Sequence, residues 1–178
     1  VAAHFLIASQ SLISKEKAPF APAVLSFGKM NTLGGATNII PDQIQLEGTL
    51  RCMDENLRNQ LWARIEELLK GQCAAFGAEY LLRIENGYPC LINNASAAEK
   101  WAELASDYIG AQNIAHVPPR LTSEDFAYYS HQIPACFYRL GTGPSSNVHT
   151  PEFKIDETSI VFGSGLMAWL SIGFLQYA

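Results

Sequence analysis

The sequence has no basic stripe: 12 Lys and Arg stand against 17 Asp and Glu over 178 residues, a formal net charge of -5. Nucleic-acid affinity comes largely from clustered Lys and Arg, so no nucleic-acid partner is expected. No run of 18 or more apolar residues is present either. The most apolar stretch, residues 160–175, is interrupted by Gly163, Gly165 and Gly173. It is short for a bilayer and reads as a buried helix close-packed at its glycines, with no membrane partner. The four cysteines, Cys52, Cys73, Cys90 and Cys136, form no C-x-x-C pair, which suits reduced, buried thiols and a cytoplasmic location. Also absent are an initiator Met and a basic leader, while apolar residues recur with helical period from Ala2 to Ile13. The chain therefore reads as starting inside a helix of a larger protein.

What is present can fold. With 48% hydrophobic residues, a chain of this length buries a sizeable core as one domain or two small ones. The first helix ends before Pro19 and Pro22, and residues 23–30 read as a strand. Next, Ile44, Leu46, Gly48 and Leu50 alternate with Gln45, Glu47, Thr49 and Arg51. This predicts a half-buried strand with Arg51 on its polar face. Asp54 is placed to cap a helix carried by Leu57, Leu61, Ile65 and Cys73 and closed by Gly77, and residues 79–85 read as another strand. Helix, strand, strand, helix, strand is a ferredoxin-like α+β layer lacking its first strand.

The pattern changes near residues 90–94, which divides the chain into domains 1–92 and 93–178. Ala98, Trp101, Leu104, Ala105 and Ile109 predict an amphipathic helix stopping at Gly110. A second helix is expected to open at Thr122-Ser123-Glu124-Asp125, and residues 135–140 read as a short strand. A turn-rich loop holding His149 follows, and Asp156 and Glu157 would cap a final helix over residues 158–175.

Four residues carry candidate chemistry. Imidazole suits zinc or manganese, but a lone His149 reads first as a solvated loop residue, because a catalytic metal takes about three protein ligands. Arg51 has the fork to grip a carboxylate bidentately, or is an ordinary surface arginine. Asn38, held in place by the Pro41 that follows, is either an amide donor to a carbonyl or a turn residue. Glu124 either lines a cleft or serves the first turn of its helix. His4 and His131, in helices, and His116, in a Pro-rich loop, have no second ligand at i+3 or i+4. Glu66-Glu67 reads as a solvated helix face.

Six blocks together go further: Phe27-Gly28-Lys29 with Gly34-Gly35-Ala36-Thr37-Asn38-Ile39-Ile40-Pro41-Asp42, Gly48-Thr49-Leu50-Arg51, Gly87-Tyr88-Pro89, Ser123-Glu124-Asp125-Phe126, and Val148-His149-Thr150-Pro151-Glu152-Phe153. In order and spacing they resemble the metal-dependent amidohydrolase and carboxypeptidase family, whose members include hippurate hydrolase, indole-acetyl-amino-acid hydrolase and N-acetyldiaminopimelate deacetylase.

The resemblance implies a protein of about twice this length, with a lid domain that forms a homodimer inserted in an α/β metal-binding catalytic domain. Residues 1–92 would be the incomplete ferredoxin-like lid, and 93–178 the carboxy-terminal part of the catalytic domain. It implies hydrolysis of the amide bond of N-acyl amino acids or peptides by a centre of two divalent ions, zinc or manganese. His149 would be one metal ligand, with Asn38, Arg51 and Glu124 contacting substrate, Asn38 from the partner subunit's lid. The family's His-x-Cys-Gly-His and Glu-Glu blocks are absent here, so the general base would lie upstream and the fragment alone would be inactive. The alternative is a non-catalytic dimerisation or ligand-binding module that kept the fold without the metal centre.

Overall fold

A computed structural model describes residues 1–176. The chain divides into two compact units, Val1–Leu91 with Arg120–Asp125, and Ile92–Pro119 with the residues from Phe126 onward.

The first unit opens with helix α1, Ala2–Ser11, which runs into a π-helical turn, Leu12–Glu16. Strands β1, Ala23–Leu33, and β2, Gln43–Cys52, pair antiparallel from Ala23↔Cys52 to Leu33↔Gln43. The register slips between Phe27 and Lys29, leaving Gly28 as the extra residue of a bulge. At Gly48 a Cβ would stand 2.7 Å from the Phe27 ring, so the missing side chain lets that ring cross the partner strand. Phe27 meets Phe5 of α1 edge to face, with centroids 5.6 Å apart. Helix α2, Glu55–Ala75, begins where the Asp54 carboxylate accepts the Leu57 N–H at 2.7 Å, as the sequence predicts. Leu61 and Ile65 of α2 complete a core with Phe5, Leu12, Ala23, Leu25 and Leu50.

The strand expected at residues 79–85 does not form; among the described residues the sheet has two strands. Alternation gives a segment one apolar face, but a strand also needs an edge to pair with. This segment docks on none, and Leu81 stays 96% exposed. The ferredoxin-like layer is thus reduced to a hairpin with two helices.

In the second unit, helix α3, Ala95–Ile109, starts at Asn94, whose side chain accepts the Ala97 N–H at 3.0 Å. It ends at Gly110, whose φ of 84° suits glycine alone. Helix α4 is only Ala127–Ser130. The expected start at Thr122 is not observed, so Glu124 and Asp125 precede the helix and His131 lies just past it. Residues 135–140 are not a strand either. Their backbone is held instead by Asn93, whose amide donates to the Phe137 carbonyl at 2.9 Å and accepts the Phe137 N–H at 2.8 Å. A side chain there does the work of a neighbouring strand.

Helix α5, Thr158–Gln176, is capped by Asp156, which accepts the Thr158 N–H at 3.0 Å and its hydroxyl at 2.7 Å. Those two bonds hold the Asp156 carboxyl below its ordinary value. Leu104 packs where Gly173 has no side chain, and Trp169 donates to the Leu104 carbonyl at 2.9 Å. The glycine face is therefore close-packed, but the helix is not buried. Among the described residues α3 is the one element of this unit that packs broadly against it, and its buried residues are Leu166, Leu170 and Gly173. By length and composition α5 could also cross a membrane, with 17% of its apolar window buried.

Candidate functional site

Arg51 pairs with Val24 near the end of the β ribbon and faces away from the buried Leu50. Its Nη1 donates to the Leu121 carbonyl at 2.7 Å. That bond joins residues 70 apart in sequence, and the segment Arg120–Asp125 groups with the first unit. Glu124, half-buried, lies on this segment, and its carboxylate accepts the Thr122 hydroxyl at 3.1 Å. Arg51 and Glu124 thus belong to one neighbourhood, and Glu124 is not a helix-capping residue.

Asn38 stands apart from them. It sits on a tight turn closed by two backbone bonds, Ala36 N–H to Ile39 O at 3.2 Å and Ile39 N–H to Ala36 O at 3.1 Å. The turn extends from the opposite end of the ribbon. The pairs Val24↔Arg51 and Leu33↔Gln43 are about nine residues apart along β1, roughly 25–30 Å of strand. Asn38 and Arg51 of one chain therefore cannot grip one small molecule.

His149 belongs to the second unit and is exposed. The loop around it is tied internally: Thr150 Oγ1 donates to the Asn147 carbonyl at 2.8 Å and Ser146 Oγ to the Glu152 carbonyl at 2.5 Å. Among the described residues His149 is the only non-glycine with positive φ, at 65°. The left-handed region costs a residue with a Cβ about 1–2 kcal/mol, and such outliers cluster at functional sites. No group of three His, Cys, Asp or Glu among the described residues could hold a metal ion. One imidazole does not make a metal site, so these residues alone do not fit a bound ion.

A further polar cluster escaped sequence reasoning. Glu55 accepts the Cys90 N–H at 2.6 Å and pairs with Arg58 at 2.6 Å, while Arg58 donates to the Tyr88 carbonyl at 3.0 Å. Burial works to raise the Glu55 carboxyl, but the bonds from Cys90 and the Arg58 charge outweigh it and leave the carboxyl below its ordinary value. The Cys90 thiol, donating to the Cys52 carbonyl at 3.1 Å, is pushed up to about 12, first by burial and then by Glu55. Cys90 is therefore held as an inert thiol. The i, i+3 spacing of Glu55 and Arg58 was a visible signal, but their partners at residues 88–90 are distant in sequence.

Residues 8–170 match the model of peptidase family M20/M25/M40. The chain belongs to this family. It is 34% identical to the N-acetyl-L-cysteine deacetylase of Bacillus subtilis (strain 168) over 92% of this chain and 38% of that protein. It is 30% identical to the N-acetyldiaminopimelate deacetylase of Lactococcus lactis subsp. cremoris (strain SK11), covering 90% of this chain and 43% of that one. The crystal structure of the Bacillus subtilis YXEP protein, a dinuclear metal-binding peptidase of family M20, is similar with a TM-score of 0.82 and 26% identity. That match covers 99% of this chain and 45% of the solved one. The α/β fold is thus that of M20 peptidases, and the chain spans less than half the length of the curated relatives it matches.

Proposed function

We propose that this chain is the lid, residues 1–92, and the closing part of the catalytic domain, residues 93–178, of a cytoplasmic metal-dependent amidohydrolase. Its substrates are N-acyl amino acids or small peptides, cleaved at the amide bond. The observation that carries the reading is the family match over residues 8–170. The names of the deacetylase relatives and of the dinuclear solved neighbour support the substrate class and the two metal ions.

In this reading His149 supplies one metal ligand, and the remaining ligands and the general base come from the part of its relatives that this chain does not span. The left-handed backbone at His149 supports that role, since a tied loop fixes the direction of the imidazole. Arg51 offers a guanidinium with donors to spare for the substrate carboxylate. Glu124 lines the same neighbourhood. Asn38, at the other end of the ribbon, donates to the scissile carbonyl of a site in a second copy, which makes the homodimer part of the mechanism.

The test is kinetic. In the full-length protein containing this chain, Arg51→Ala is expected to raise KM for N-acyl amino acids by about tenfold or more, as loss of a charge-assisted hydrogen bond does. An unchanged KM removes Arg51 from the substrate site.

A further inference from the structure

The geometry points to a second role for Arg51, as a positioning residue that straps the segment Arg120–Asp125 onto the β ribbon and so sets where Glu124 stands. Arg120–Asp125 lies in sequence between two stretches of the second unit, yet it packs with the first. No helix or strand holds it there. A segment without ladder or helical bonds needs a specific tether to keep one position. A tether of this kind is the Arg51 Nη1 bond to the Leu121 carbonyl, short at 2.7 Å and charge-assisted.

Its placement follows from the ribbon. Leu50 is buried, so the next residue must face away from the core, and Arg51 reaches out from a rigid strand rather than a loop. Three residues beyond the tethered carbonyl stands Glu124, further steadied by the Thr122 hydroxyl. One guanidinium nitrogen serves the strap, and the fork keeps its other N–H donors for a second acceptor.

The consequence for Glu124 in catalysis rests on the hydrolase reading above. The strap itself is measured on the full-length protein containing this chain, without substrate, by hydrogen exchange over residues 121–125 and by tryptic cleavage of the Arg120–Leu121 bond. Arg51→Ala and Arg51→Gln are expected to speed both about tenfold, with exchange in α2 unchanged as the sign that the fold persists. Arg51→Lys, which keeps a cationic donor, restores most of the protection. Lys29→Ala, which removes a cation paired with Glu47 on the same ribbon, leaves both rates alone. Wild-type protection in Arg51→Ala and Arg51→Gln, or no rescue by Lys, overturns the strap. Failure of the hydrolase reading shows elsewhere, as absent hydrolysis by the full-length protein.

Discussion

At the scale of single residues, a carboxylate that accepts a backbone N–H and faces a guanidinium is held ionised, and Glu55 is so placed. Its folded value lies below its unfolded one. Its contribution to stability is therefore present above the ordinary carboxylate range and is lost as pH falls through the lowered folded value. Glu55→Gln should cost most near pH 7, with the gap to wild type closing below about pH 4; urea midpoints across that range check it. Asn93→Ala leaves the Phe137 N–H and carbonyl without their partner and should cost the second unit about 1–3 kcal/mol by the same measurement. Both residues show where sequence reading stops. Asp54, Asn94 and Asp156 cap helices that begin within four residues, so two of these caps were readable directly and the third as the start of a new segment. Asn93 and Glu55 act on backbone more than 30 residues away, which no local pattern records.

At the scale of elements, helices α2 and α3 and strand β2 were legible from their own period, helix α1 and strand β1 from the apolar stretches that Pro19 and Pro22 separate, and helix α5 from its apolar run behind Asp156. Residues 79–85 and 135–140 carry strand-like patterns too, but pairing is a property of two segments, and neither found an edge. The α5 glycines were read as a packing face, and Leu104 and Tyr108 fill it. Gly173→Ala puts a Cβ 2.6 Å from a Leu104 methyl. The overpacking should destabilise the second unit by about 1–3 kcal/mol despite alanine's better helix propensity. Chemical denaturation of that variant beside Gly71→Ala, which meets open space on α2, separates packing from propensity.

At the scale of the molecule, the candidate site was only partly visible. The sequence blocks named Asn38, Arg51, Glu124 and His149, but spacing could not say that Arg51 and Glu124 share a neighbourhood while Asn38 lies at the far end of the ribbon. That separation makes a prediction about assembly. Mixing Asn38→Ala with His149→Ala subunits of the full-length protein should recover about a quarter of wild-type activity, since half of the dimers would be mixed and each would carry one intact site. Size exclusion of the mixture checks that dimers formed.

The most direct measurement is hydrolysis of a panel of N-acyl amino acids by the full-length protein containing this chain, with and without a chelator, for wild type and His149→Ala. The chelator is expected to abolish hydrolysis, zinc or manganese to restore it, and His149→Ala to lose about 100-fold or more. Chelator-resistant hydrolysis, or a His149→Ala variant as active as wild type, would contradict it.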